Sequence, residues 1–127
     1  MLHNIEVLLP KHNMVKFGGV CMIFKNAELY NVCELLKNPE GQGYLMNRIP
    51  ESVRQKLGKG AQRRALFSPG CEIRFVLKSG DAKITLMRCP GGDVQPTGIA
   101  EIYHGCFQGS YKITPFVIGN QPETVII

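Results

Sequence analysis

Residues 72–87 read EIRFVLKSGDAKITLM, and this stretch decides the fold class. Ile73, Phe75 and Leu77 occupy alternate positions, so their side chains share one face of an extended strand. A polar loop, 78–81, follows, and residues 82–87 again have strand-forming side chains. Two such runs joined by a short loop that contains glycine predict a β-hairpin.

Downstream of this hairpin, three further segments have the composition of short strands. They are residues 99–104, 111–113 and 124–127. A loop rich in glycine and proline, 90–98, precedes the first of them. Short strands spaced by turn residues are typical of an antiparallel sandwich or barrel, so the sequence predicts a mainly β fold.

Upstream of the hairpin, the pattern is helical in two places. In residues 29–36, apolar side chains recur at helical spacing and the run ends at Asn38-Pro39-Glu40-Gly41, which predicts a short helix or turn. In residues 50–57, Pro50 suits the first helical turn, and Gly58 marks the end. We therefore predict one or two short helices.

The first 27 residues fit neither a long helix nor a clean alternation. We treat 1–27 as an N-terminal extension of uncertain structure and predict one β domain over residues 28–127. The apolar strand at 124–127 has no polar tail behind it, whereas chain termini usually end in polar residues at the surface. We expect the natural chain to continue past residue 127.

The composition describes a single globular domain: 127 residues, 44% hydrophobic and 20% charged, with a net charge of +5. The longest uncharged apolar stretch, 17–24, is far shorter than the roughly 20 residues that a membrane span needs. Because no secretory signal pattern is present either, we expect a cytoplasmic protein. The five cysteines are at least twelve positions apart, so we assign no disulfide framework, no metal site and no cofactor.

Catalytic residues are scarce in this sequence. After residue 28 the only histidine is His104, and either Ser110 or Cys106 could in principle pair with it as a nucleophile. No third group that would orient the histidine is evident, so we assign no catalytic residue. An independent hydrolase that uses His104 is kept as a hypothesis.

The segment from Arg48 to Arg64 is strongly basic, with six cationic residues against Glu51 alone. A solvated face, or a surface that pairs with another domain, is the favoured interpretation. The alternative is a free-standing basic β domain that binds nucleic acid or an acidic ligand through this segment. The cationic residues are Arg48, Arg54, Lys56, Lys59, Arg63 and Arg64.

Four motifs, taken in order, resemble the N-terminal accessory domain of bacterial SGNH (GDSL-type) hydrolases. They are residues 47–54, Ala65, residues 70–75 and residues 100–108. The resemblance covers about residues 29–127. It implies an antiparallel β-sandwich of jelly-roll or carbohydrate-binding-like shape, followed by a separate α/β esterase or lipase domain after residue 127.

The same resemblance implies that this chain is not the catalytic part. The Gly-Asp-Ser nucleophile motif of the family is absent, because Gly80-Asp81 is followed by Ala82 and Gly92-Asp93 by Val94. We expect a non-catalytic domain that packs on the hydrolase domain of the same protein and shapes access for acyl or acetylated carbohydrate substrates. The expected interdomain or ligand surface consists of Arg48, Arg54, Arg64, Tyr103, His104 and Phe107.

Overall fold

The computed structural model describes residues 2–8, 21–39, 43–88, 98–103, 116–119 and 121–127. These residues form ten short strands and two short helices, so the predicted mainly β class with one or two helices is confirmed. The elements are β1 (Leu2–Leu8), β2 (Cys21–Phe24), β3 (Ala27–Tyr30), β4 (Glu34–Lys37), β5 (Tyr44–Asn47), α1 (Glu51–Arg54), α2 (Lys59–Arg64), β6 (Glu72–Arg74), β7 (Lys83–Arg88), β8 (Gly98–Ala100), β9 (Phe116–Ile118) and β10 (Glu123–Ile126).

The strands pair antiparallel in four small sheets. Two sheets have three strands, in the orders β1-β7-β10 and β2-β3-β6, and the other two are the pairs β4-β5 and β8-β9. None of the described sheets closes into a barrel. Neither helix in these residues is long and apolar enough to cross a bilayer.

Two clusters of buried side chains form the core. One contains Ala27, Leu29, Val32 and Met46, and the other contains Ile84, Leu86 and Ile118. Ile73 and Phe75 pack against both clusters, so residues 73–75 join the two three-stranded sheets.

The predicted hairpin over residues 72–87 is wrong in its pairing. Both strands exist, but β6 pairs with β3, whereas β7 pairs with β1 and β10. The chain leaves the β2-β3-β6 sheet after Arg74 and turns at Gly80, whose φ of 81° is in the left-handed region. Alternation shows which side chains share a face of a strand, but it does not show which strand lies alongside.

The helix predicted in residues 29–36 is also wrong, because this segment contributes to two strands. β3 lies between β2 and β6, and its first three residues are all buried, so it does not show the alternation of a half-exposed strand. Asn31, with φ of 58°, takes the left-handed conformation just after β3. The chain then reverses into β4, which pairs with β5.

Residues 1–27, which the sequence left undecided, contribute two strands. β1 pairs with β7, and β2 forms a hairpin with β3. The two-residue turn of that hairpin is Lys25-Asn26, both at positive φ, as a type I′ turn requires. The predicted strand at 124–127 matches β10, the one at 99–104 is shortened to β8, and the one at 111–113 lies outside the described residues.

Candidate functional site

An open cleft lies between the residues that follow β5 and helix α2. Its volume is about 440 Å³. It is lined by two arginines, by isoleucine and alanine side chains, and by one glycine. These are Arg48, Ile49, Gly60, Ala61, Arg64 and Ala65.

The lining residues belong to the segment that runs from β5 through α1 to the end of α2. A carboxylate from β4 holds the start of α1. The Glu51 backbone N–H donates to Glu34 Oε2 at 2.8 Å, which satisfies one of the amides at the start of α1. Gln62 in α2 donates from its side-chain amide to the carbonyls of Leu57 and Gln55, at 2.7 and 3.0 Å. These bonds hold the two short helices against each other and against the β4-β5 sheet.

Arg48 is a fixed cation on one wall of the cleft. It is half-buried, and its Nε donates to the carbonyl of Phe67 at 2.9 Å. Within the described part of the chain, its two terminal nitrogens make no further hydrogen bond, so they are available to a ligand. A guanidinium presents its N–H groups in a rigid fork that suits an oxyanion.

Arg64 lies at the end of α2 and is exposed. The neighbouring cations Lys56, Lys59 and Arg63 are exposed as well. The structure therefore brings together Arg48 and Arg64, two of the predicted surface residues, at a single cleft.

Arg54, another predicted surface residue, is held within the helical segment. Its Nε and Nη2 donate to the two oxygens of Glu51 at 2.6 and 2.5 Å, and its Nη1 donates to the Gln62 carbonyl at 3.3 Å. The hydrogen bond from Arg54 lowers the pKa of Glu51, which therefore stays ionised at neutral pH and neutralises this arginine. The charges of Glu51 and Arg54 therefore cancel. The four exposed side chains around α2, which are Lys56, Lys59, Arg63 and Arg64, keep a net positive charge.

The remaining predicted surface residues lie after β8. Tyr103 is exposed, and its hydroxyl donates to the carboxylate of Glu101, which raises the pKa of Tyr103. His104 and Phe107 lie outside the described residues, as do Cys106 and Ser110. The hypothesis of a hydrolase that uses His104 therefore stays a prediction.

The Cys71 thiol and the Ser68 hydroxyl have structural partners. Burial raises the pKa of the half-buried Cys71 thiol, which donates to the Asn31 carbonyl at 3.3 Å. Ser68 donates to the Met46 carbonyl at 3.4 Å. Among the described residues, no three His, Cys, Asp or Glu side chains form a group that could hold a metal ion.

The β8-β9 pair carries an exposed apolar surface that the sequence did not reveal. Ile99 and Val117 lie directly opposite each other and are 63% and 59% exposed. The next residue of β9, Ile118, is buried, and Ala100 packs against its cluster. Apolar residues in a strand normally predict burial, so nothing in the sequence marks these two as exposed.

Comparison with known proteins found no family model, no curated protein and no solved structure that matches this chain. The resemblance to the accessory domain of SGNH hydrolases therefore rests on its four motifs. Three of these, residues 47–54, Ala65 and 70–75, lie within the described residues, and the first two include or adjoin residues of the cleft.

Proposed function

We propose that this chain is a non-catalytic β-sandwich domain of a cytoplasmic SGNH/GDSL-type esterase or lipase. In this proposal it packs on the hydrolase domain of the same protein and shapes the entry of acyl or acetylated carbohydrate substrates. The observation that carries the proposal is the exposed apolar pair Ile99–Val117. Ile99 directly precedes the motif at residues 100–108, and Val117 lies opposite it on β9. The free thiols Cys33 and Cys71 agree with a reducing compartment.

An antiparallel sheet that faces water on one side normally presents polar residues there. Here the inner face is covered by the core, but the outer face presents isoleucine opposite valine. Covering the two exposed side chains would contribute about 1 kcal/mol each, since full burial of such a side chain is worth about 1.5–3 kcal/mol. A partner domain that covers the pair would therefore gain a measurable part of its docking energy here.

The packing of the two three-stranded sheets supports the proposed sandwich. Leu29 of β3 and Ile84 of β7 belong to different clusters, and Ile73 packs against both clusters. Shared side chains of this kind are what two sheets packed face to face require.

Substitution at the exposed pair tests the proposal in the protein that contains both domains. Ile99→Asp and Val117→Asp should separate one cooperative unfolding transition into two and raise KM for an aryl ester. Ile23→Asp is the matched control, because Ile23 on β2 is 54% exposed but lies in another sheet. If all three variants unfold and turn over substrate like the unmodified protein, the β8-β9 face does not contact the hydrolase domain.

The cationic surface around α2 favours a second candidate function, nucleic-acid binding. Lys56, Lys59, Arg63 and Arg64 are exposed, whereas the one carboxylate of the segment is taken up by Arg54. Binding of a mixed-sequence oligonucleotide whose affinity falls steeply with salt would support this candidate, since phosphate contacts release counterions. Affinity that is absent at 50 mM salt would exclude it.

A further inference from the structure

We propose that the cleft between β5 and α2 binds a phosphate monoester of small-molecule size. The inference concerns a ligand rather than a domain partner, so it goes beyond the proposed packing on a hydrolase domain and stands without it. It rests on the size of the cleft, on the two arginines in its lining and on the way in which one of them is fixed.

The size of the cleft indicates a ligand larger than a simple ion. About 440 Å³ lies within the range of roughly 300–1,000 Å³ that is typical of small-molecule sites. Ile49, Ala61 and Ala65 provide an apolar lining that can contact an organic group. A Cβ atom added at Gly60 would meet no heavy atom within 4 Å, so a small side chain fits at this position of the lining.

The charge of the lining indicates an anion. Both ionisable groups among the described lining residues, Arg48 and Arg64, are cationic. The bond from Arg48 Nε to the Phe67 carbonyl sets the direction of its guanidinium before any ligand binds. Such preorganisation reduces the entropy that binding must overcome.

Two guanidinium groups match a phosphate monoester better than a carboxylate. A monoester carries a charge of about −1.5 to −2 at pH 7 and presents three acceptor oxygens, whereas a carboxylate carries −1 and presents two. Arginine binds phosphate through paired, charge-assisted hydrogen bonds. The site should therefore prefer phenyl phosphate to benzoate, although the two ligands have the same ring.

The test is a titration of the purified chain with phenyl phosphate. Binding is measured by calorimetry and by the NMR shifts of backbone amides. Arg64→Gln should weaken binding about tenfold, the loss expected for a charge-assisted hydrogen bond. Arg63→Gln is the matched control, because Arg63 is exposed on the same helix but does not line the cleft. It removes the same charge and should weaken binding less than twofold.

A charge-preserving variant provides an independent test. Gly60→Leu leaves both arginines in place and adds an apolar side chain at a lining position, so it should weaken binding of phenyl phosphate more than binding of inorganic phosphate. An unchanged far-UV spectrum and urea midpoint would show that the variant is folded.

Three results would overturn the proposal. Equal losses in the Arg63 and Arg64 variants would show a diffuse cationic surface, of the kind that an oligonucleotide would use. Equal affinity for benzoate and phenyl phosphate would remove the phosphate preference, and binding that does not saturate below about 10 mM would show that the cleft is no site for this class of ligand.

Discussion

The ion pair between Glu28 and Arg74 gives the sharpest prediction about stability. Glu28 is 1% exposed in the central strand β3, and Arg74 is its cross-strand neighbour in β6, with Nη1 3.7 Å from Glu28 Oε1. Arg74 also donates from Nε to Glu72 Oε2 at 2.7 Å, and its guanidinium carbon lies 3.8 Å from the centre of the Tyr30 ring. Arg74→Met removes all three interactions and leaves a buried carboxylate without its cross-strand cation.

The expected cost follows from burial. Breaking a fully buried ion pair typically costs 3–5 kcal/mol, because the remaining charge stays buried. The Arg74 side chain is 29% exposed, so water reaches part of the site and we expect Arg74→Met to destabilise by about 2–3 kcal/mol. Adding Glu28→Gln removes the buried charge and should restore about 1–2 kcal/mol of that loss.

The assay is urea unfolding of the single and double variants. An unchanged slope of the unfolding free energy against urea concentration shows that the variants are as compact as the unmodified protein. Glu72→Gln is the control, because Glu72 is 51% exposed and its loss should cost less than about 0.5 kcal/mol. If Arg74→Met costs no more than Glu72→Gln, or if Glu28→Gln makes the Arg74 variant still less stable, the buried charge is not what Arg74 stabilises.

Three further predictions concern the helical segment, the core and catalysis. The pKa of Glu51 is lowered in the folded state, so its stabilising effect is complete above the ordinary glutamate pKa of about 4.5 and is lost as the pH falls through the lower folded value. Glu51→Gln should therefore cost about 0.5–1 kcal/mol at pH 7 and almost nothing near pH 2. Unfolding measured at both pH values checks this, and an equal cost at both would contradict it. Met46→Ala should cost about 2–5 kcal/mol in urea unfolding because Met46 is 1% exposed, whereas Val53→Ala, at a position that is 46% exposed, should cost under about 0.5 kcal/mol. The isolated chain should hydrolyse p-nitrophenyl acetate no faster than buffer does, and turnover that disappears in His104→Ala would instead support an independent hydrolase.

The sequence predicted elements well where the local pattern alone decides them. The apolar run at 124–127 forms most of β10, and Pro50 with Glu51 marks the start of α1. In both places the residues that determine the structure are neighbours in the chain. The exposed cations of α2 were likewise visible as a basic segment, although α2 itself was not predicted.

Pairing and burial were not predictable, because they depend on residues far apart in the chain. The strands of the supposed hairpin diverge because Ile73 and Phe75 lie against two clusters that residues 27–46 and 84–118 provide. The apolar residues of 29–36 are spaced as in a helix in part because β3 is buried between two other strands and so does not alternate apolar and polar residues.

The candidate site shows the same limit. The composition of residues 48–64 indicated a cationic surface, but it could not show that Arg54 is neutralised by Glu51 while Arg48 and Arg64 meet at a cleft. That difference depends on side-chain geometry across two helices. The sequence could not show either that Ile99 and Val117 are exposed, because isoleucine and valine in a strand are usually buried.

The nucleotide sequence that follows codon 127 tests the central claim most directly. The proposed role as an accessory domain predicts an open reading frame that continues into an α/β domain, with a Gly-Asp-Ser motif near its start and Asp-x-x-His about one domain length later. A stop codon directly after Ile127 would contradict the claim that a hydrolase domain of the same protein is the partner of this chain.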